Sequence, residues 1–153
     1  MKKLLSILLV VLMIVSIVPL SVSAESVTGE CGAQGDNLTW TLDTETGCLV
    51  IEGVGEMQNF VGDIIPSWFD YNNSITQVII ENGVTTIGDY AFYHYKNIES
   101  VEVADTVTRI GICAFVGCNN LNSIELPENL TSLGGYAFYY CENLKQINIP
   151  STL

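Results

Sequence analysis

The sequence predicts an α/β solenoid of 23-residue repeats, with a parallel sheet on its inner face and a β-hairpin before the first repeat. Residues 75–153 repeat every 23 residues without a gap. Each repeat carries the alternation of large apolar residues that is typical of a short strand. One repeat offers only about seven apolar side chains, too few to offset the entropy of ordering its backbone, so neighbouring repeats must stack.

The strand pattern Φ-x-x-Φ-x-Φ, in which Φ is a large apolar residue, sets the repeat boundaries. It begins at Ile75, Ile98, Leu121 and Leu144. The predicted repeats are therefore 75–97, 98–120, 121–143 and, in part, 144–153.

Two residue pairs complete each full repeat. An Ile or Leu followed by Gly stands at 87–88, 110–111 and 133–134, where Gly permits a tight bend or a close backbone approach. An Ala-Phe pair follows at 91–92, 114–115 and 137–138. We expect this pair to turn inward from a short helix or turn on the wall opposite the sheet, with Phe filling the core.

The repeat string resembles the BspA-type, or Treponema pallidum-type, leucine-rich repeat of bacterial and some protozoal surface proteins. The fullest copy runs from Leu133-Gly134 through Ala137-Phe138 and Cys141 to Pro150, and the resemblance covers residues 75–153. It implies leucine-rich repeats in a secreted or cell-surface protein that binds other proteins, by adhesion or within a surface assembly. The first repeat departs from the pattern at Tyr95, where later repeats have Cys.

Residues 1–24 are predicted to be a signal peptide. Lys2-Lys3 gives a basic start, residues 4–20 form an apolar run, and Val22-Ser23-Ala24 is a small-residue cleavage site. The alternative is a membrane anchor, but no Lys or Arg follows Ala24 until Lys96. We therefore expect contact with the membrane only during export, and an extracellular or cell-surface location.

Residues 25–74 are predicted to be an N-terminal β-hairpin capping region. Leu38, Trp40 and Leu42 alternate with threonines, residues 43–47 read as a turn, and residues 48–51 as a returning strand. A hairpin here would cover the open N-terminal edge of the stack. Residues 59–74 are expected to wrap the first repeat as a loop or short helix.

The charge balance narrows the classes of partner. The chain has 17 acidic residues, five basic ones and a formal net charge of −12. Nucleic acids and anionic membranes both require a basic surface. The expected partner is therefore a protein and not a nucleic acid.

The cysteines and the single histidine indicate no catalytic or metal site. Cys31 and Cys48 bracket a predicted hairpin strand and form a possible disulfide. Cys118 and Cys141 share a repeat position, which favours small buried side chains. His94 occupies a position that other repeats fill with Gly and Tyr, which is typical of a surface position. We expect no cofactor and no enzymatic activity.

The predicted partner-binding face follows the repeat positions that point away from the core of the sheet. Its residues are Gln77, Ile79, Ser100, Glu102, Ser123, Glu125, Gln146 and Asn148. Glu102 and Glu125 could pair as glycosidase carboxylates do, but a row of like charges on a polar face is the commoner arrangement. The chain could instead be a non-catalytic accessory module of a surface enzyme, or a truncated repeat-gene fragment.

A second candidate surface is rich in tyrosine. Six tyrosines surround the Ala-Phe pairs: Tyr90, Tyr93, Tyr95, Tyr136, Tyr139 and Tyr140. Tyr is favoured at interfaces because it combines a large apolar area with a polar hydroxyl. The alternative is that these rings only cover the row of Phe side chains.

Overall fold

A computed structural model describes residues 25–153, so the predicted signal peptide lies outside the described residues. The ten strands of this part of the chain are β1 Ser26–Gly32, β2 Gly35–Asp43, β3 Cys48–Gly53, β4 Gly55–Glu56, β5 Gln77–Ile80, β6 Val84–Ile87, β7 Ser100–Val103, β8 Arg109–Ile110, β9 Ser123–Ile124 and β10 Ser132–Leu133. A 3-10 helix covers Phe69–Tyr71. None of the helices in residues 25–153 combines the length and apolarity needed to cross a membrane.

The first sheet has the order β1-β2-β3-β5-β7-β9. Its first three strands are antiparallel, and the pairs β3–β5, β5–β7 and β7–β9 are parallel. In the parallel pairs of β5, β7 and β9, Gln77 stands beside Ser100 and Ser100 beside Ser123, so that partners are 23 residues apart. The predicted parallel sheet is confirmed.

A second sheet runs alongside the first and was absent from the sequence prediction. Its order is β10-β8-β6-β4, and its pairs are parallel. The chain passes from the first sheet into the second within each repeat, as from Ile80 to Val84. The β-branched Val84-Thr85-Thr86-Ile87 is the signal that could have predicted it.

The third wall consists of turns whose backbones bond to the next repeat. The N–H groups of Tyr90 and Phe92 donate to the carbonyls of Ile112 and Ala114, at 2.9 and 2.8 Å. Tyr90 also has a φ of 59°, in the left-handed region that interrupts a helix. The α component of the predicted class is therefore wrong for residues 25–153, and the predicted turn is the observed form.

A row of aromatic rings runs behind the turn wall. Phe115 stacks between Phe92 and Phe138, with ring centroids 5.2 and 5.5 Å apart. Trp68 stacks on Phe92 at 5.7 Å, which extends the row into the segment before the first repeat. The prediction that the Phe of each Ala-Phe pair fills the core is correct for Phe92 and Phe115, which are buried.

The glycine of each Ile/Leu-Gly pair allows a close approach of backbones. A Cβ on Gly111 would lie 2.5 Å from the backbone nitrogen of Asp89, and one on Gly134 would meet the backbone of Gly111. Neither glycine has a positive φ. Of the two alternatives left open by the sequence, the close approach is the one observed.

The N-terminal segment forms three antiparallel strands, one more than the predicted hairpin. Leu38, Trp40 and Leu42 are buried as expected, and β3 pairs in parallel with β5 from Cys48 beside Gln77 to Ile51 beside Ile80. The additional strand, β1, was missed because it is mostly polar. The first sheet thus continues from the antiparallel strands into the repeats without interruption.

The possible disulfide between Cys31 and Cys48 is not formed in this structure, in which both thiols are free. Cys48 is aligned through Asp43 with Ser26, at the start of β1, whereas Cys31 lies five residues further along that strand. Five residues of strand span roughly 17 Å. A disulfide needs Cα atoms within about 7 Å, so this strand register excludes the bridge.

Candidate functional site

The exposed side of the first sheet presents two aligned rows of side chains, which we call the sheet face. One row joins Cys48, Gln77, Ser100 and Ser123 on adjacent strands. The other joins Val50, Ile79 and Glu102. The strand alternation that buries Val78 and Ile80 on the opposite side turns these residues outward.

Neighbouring residues of the sheet face also interact directly. Gln77 Nε2 donates a hydrogen bond of 3.0 Å to Glu102 Oε1, across the pair β5–β7. Glu102 is exposed, and Gln77, Ile79 and Ser100 are half-buried. The centre of this face therefore combines an amide, a carboxylate and an aliphatic side chain.

Five residues of the predicted partner-binding face lie together on these strands: Gln77, Ile79, Ser100, Glu102 and Ser123. The other three do not extend the sheet. Glu125 follows the end of β9, and Gln146 and Asn148 lie in a segment without a strand. Gln146 Nε2 instead donates to Asn148 Oδ1, 3.5 Å away.

Sequence reasoning missed the part of the sheet face that comes from the N-terminal strands. Thr28 pairs with Thr41, and Thr41 with Val50, in the same row as Ile79. In the next row outward, Glu30, Thr39 and Glu52 are aligned. The alternation of Thr39 and Thr41 with buried residues was a sufficient signal, but the parallel pairing of β3 with β5 could not be read from it.

The sheet face is acidic. Lys2 and Lys3 account for two of the five basic residues, so residues 25–153 carry three basic and 17 acidic residues, a formal net charge of −14. Burial raises the pKa of the Cys48 thiol, and the nearby carboxylates of Asp43 and Glu102 raise it further. This face therefore favours basic partners electrostatically.

The turn between β2 and β3 is fixed by Asp43. Its Oδ1 accepts hydrogen bonds from the N–H groups of Thr46 and Glu45, at 3.1 and 2.9 Å. These bonds, with that of Thr46 first, hold the pKa of the Asp43 carboxyl below its usual value. The turn positions Cys48 at the start of β3, beside Gln77.

The tyrosine-rich surface lies on the turn wall. Tyr93, Tyr136, Tyr139 and Tyr140 are exposed. With neighbouring residues they line a depression of about 300 Å³. Tyr95 does not share this exposure, because it is buried and packs edge-on against Phe92 at a centroid distance of 5.8 Å.

Other chemistry was sought in residues 25–153. In this part of the chain no group of three or more His, Cys, Asp or Glu side chains is arranged to hold a metal ion. The thiols of Cys118 and Cys141 are buried and donate to the carbonyls of Phe92 and Phe115, at 3.3 and 3.1 Å. These two thiols are part of the core, as predicted.

Comparison with known families identifies the repeats. Residues 62–153 match the sequence model of the BspA type leucine rich repeat region, in six copies. The chain belongs to the BspA-type leucine-rich repeat family. Leucine-rich repeats are a protein-interaction type of domain. No match was found among curated protein sequences.

Two solved structures share the fold of this BspA-type leucine-rich repeat chain. One is a leucine-rich repeat protein from Eubacterium ventriosum, with 22% identity and a TM-score of 0.59 over 84% of this chain. The other is a leucine rich cell surface protein from Faecalibacterium prausnitzii, with 23% identity and a TM-score of 0.54 over 76% of this chain. The chain spans 45% and 36% of those two chains, less than half of either.

Proposed function

We propose that the protein is exported to the cell surface or beyond, and that it binds another protein through the sheet face. The observation that carries this proposal is the alignment of Gln77, Ser100 and Ser123, with Ile79 and Glu102 beside them, on one exposed side of a continuous sheet. A rigid sheet holds such side chains at fixed spacings. It can therefore recognise a partner without reorganising, which lowers the entropic cost of binding.

Adhesion to host or neighbouring cells is the finer form of this proposal. The similarity to a cell surface protein of Faecalibacterium prausnitzii supports a surface location. The predicted signal peptide at residues 1–24 supports export. The acidic sheet face favours a partner with basic side chains.

We further propose that the repeats form a solenoid and that residues 25–74 cap its first repeat. Support comes from the pairing of β3 with β5, which leaves the outer edge of β5 with a partner strand. A capped edge prevents uncontrolled strand addition at that end of the sheet.

The binding proposal is tested with residues 25–153 carrying a fluorescent label. We would measure their binding to intact bacterial and epithelial cells by flow cytometry. The double variant Glu102→Lys with Ile79→Asp changes the charge and the apolar contact of the sheet face. We expect it to reduce the bound fraction at least about fivefold, since interface centres dominate binding.

The matched control is Glu128→Lys, a charge reversal at an exposed residue between the first and second sheets. It should bind as the wild type does, and both variants should melt cooperatively by circular dichroism. Equal binding by the wild type and the double variant, or no cell binding by the wild type, would refute a role for the sheet face.

Export is tested separately by expressing the full chain in a Gram-positive host. We expect the protein in the medium or on the cell wall, and N-terminal sequencing should give Glu25 as the first residue. A cytoplasmic protein that begins at Met1 would contradict export without bearing on the sheet face.

The runner-up proposal is a non-catalytic accessory module of a surface enzyme. The observation that favours it is that the chain corresponds to less than half of either solved structure. In that case the sheet face would bind the substrate or another domain of the enzyme, and the labelled chain would bind cells only when that substrate is present on them.

A further inference from the structure

The depression on the turn wall arises because the middle repeat has small residues where its neighbours have aromatic ones. Tyr93 in the first repeat and Tyr139 in the third are separated by Val116 in the second, each 23 residues apart. Tyr90 and Tyr136 are separated by Cys113 in the same way. The first and third repeats therefore form two aromatic walls, and the middle repeat forms the floor.

A third position repeats this arrangement at the end of the turn. His94 and Tyr140 are separated by Gly117, and His94, Gly117 and Tyr140 share a φ between 58° and 70°. Because the three backbones have the same conformation, the two aromatic side chains leave the turn wall in similar directions. The middle repeat contributes only a hydrogen atom there, which leaves the space between the walls open.

The width of this gap follows from the spacing of the repeats. The stacked rings of Phe92, Phe115 and Phe138 advance by 5.2 and 5.5 Å per repeat directly behind it. Two steps separate the aromatic walls by about 11 Å, so a group midway lies about 5 Å from either wall, inside the 6 Å range of a cation–π contact. A flat aromatic ligand would be too thin to touch both walls, since offset-stacked rings need centroids nearer about 4 Å at the closest.

The charges favour a cation. Neither Lys nor Arg lines the depression, and residues 25–153 have a formal net charge of −14. The faces of tyrosine rings carry negative electrostatic potential, which attracts cations and not anions. The floor residue Val116 adds an apolar surface, which suits methyl groups better than a strongly hydrated primary ammonium.

We propose that this depression is a binding site for a quaternary ammonium group, such as the trimethylammonium of choline. The methyl groups fill the gap between Tyr93 and Tyr139 and rest on Val116. The positive charge lies between ring faces, in the arrangement of an aromatic cage. This site is on the turn wall and does not depend on the sheet face.

The test uses isothermal titration calorimetry of residues 25–153 with tetramethylammonium chloride and with choline chloride. The control ligand is 3,3-dimethyl-1-butanol, which has the shape of choline but no charge. We expect both cations to bind with a Kd on the order of 1 mM, and the neutral alcohol at least about tenfold more weakly.

Three variants locate the site. Tyr93→Ala and Tyr139→Ala each remove one wall at an exposed position, and each should weaken binding at least about fivefold. Val116→Tyr gives the middle repeat the residue that its neighbours already have, so the ring fills the gap and should abolish binding. The matched control is Ile112→Ala, an exposed residue of the same wall outside the depression, which should bind as the wild type does.

Circular dichroism melts show which variants are folded, and the alanine variants at exposed positions decide the result if Val116→Tyr does not fold. The proposal is overturned if neither cation binds at about 50 mM, far above the Kd expected for a weak cage. It is equally overturned if the neutral alcohol binds as well as choline, or if Tyr93→Ala and Tyr139→Ala bind unchanged.

Discussion

Asp89 and Arg109 form an ion pair across neighbouring repeats, with Oδ1 of the aspartate 2.5 Å from Nη2 of the arginine. The same oxygen accepts the N–H of Ile112 at 2.9 Å. The backbone of Asp89 also bonds to the segment before the first repeat: its N–H donates to Asn59 Oδ1, and its carbonyl accepts the N–H of Phe60. Asp89 thus joins three consecutive parts of the chain.

We predict that Asp89→Ala lowers the free energy of unfolding by about 1–3 kcal/mol, because it leaves the N–H of Ile112 and the guanidinium of Arg109 without their acceptor. Urea denaturation of both proteins measures the difference. The control Asp105→Ala removes an exposed carboxylate, and the expected change is within about 0.5 kcal/mol. Equal effects of the two substitutions would show that Asp89 has no special part in joining the repeats.

Gly111→Ala should destabilise the protein strongly, whereas Gly135→Ala should not. A Cβ at Gly111 lies 2.5 Å from both N and Oδ1 of Asp89, while a Cβ at Gly135 meets nothing within 4 Å. We expect a loss of about 2 kcal/mol or more at Gly111, as for an overpacked interior. At Gly135 we expect a gain of up to about 1 kcal/mol from reduced freedom of the unfolded chain. Thermal melts of the two variants provide the comparison, and a loss at both positions would contradict it.

Two adjacent exposed tyrosines should respond oppositely to glycine. Tyr140 has a φ of 58°, in the left-handed region, whereas Tyr139 is not among the residues with positive φ. Replacing Tyr140 by Gly removes a strain of roughly 1–2 kcal/mol, part of which the extra freedom of the unfolded chain offsets. We expect unfolding in urea to need about 0.5 kcal/mol more for Tyr140→Gly and about 0.5–1 kcal/mol less for Tyr139→Gly. The same sign for both would rule out backbone strain at Tyr140.

The buried thiols predict a loss of stability at alkaline pH. Burial raises the pKa of Cys31 to about 12 and that of Cys141 to about 11, from an ordinary value of 9.0. Below pH 9 the thiols are neutral in both states and their stabilising effect is complete. As the pH rises from there towards the folded-state values, only the unfolded thiols ionise, so the free energy of unfolding falls.

We expect Cys31→Ala to have a shallower decline between pH 9 and pH 11 than the wild type, whatever its stability at pH 7. One thiol contributes up to about 1.4 kcal/mol per pH unit in this range. Urea denaturation at several pH values gives both slopes. Identical slopes would mean that Cys31 is accessible to solvent and ionises in the folded protein.

The 23-residue period was enough to predict the parallel first sheet, because β5, β7 and β9 repeat the same apolar alternation. The second sheet was missed because most of its strands are very short, and two residues such as Arg109–Ile110 carry no periodicity of their own. The helix on the third wall was predicted from the Ala-Phe pair. It does not form because the N–H of Phe92 bonds to Ala114 in the next repeat and not within its own turn.

Features that depend on distant pairing were harder to predict. The Cys31–Cys48 bridge depended on a register that only the sheet fixes. The extension of the sheet face onto Thr41 and Val50 depended on β3 pairing with β5. Gln146 and Asn148 have the correct repeat positions, yet their segment forms no strand, so position within a repeat does not guarantee a place in the sheet.

The constant offset between strand partners makes chain length a quantised property of this protein. Thr86 pairs with Arg109 in the second sheet just as Gln77 pairs with Ser100 in the first, and both offsets are 23. A duplicated copy of residues 98–120 would therefore offer its neighbours the same partners that they already have. An insertion of one residue within a strand would instead reverse which side chains face the core. Such a gene can lengthen by whole repeats and retain its fold, while nearly every other change of length interrupts it.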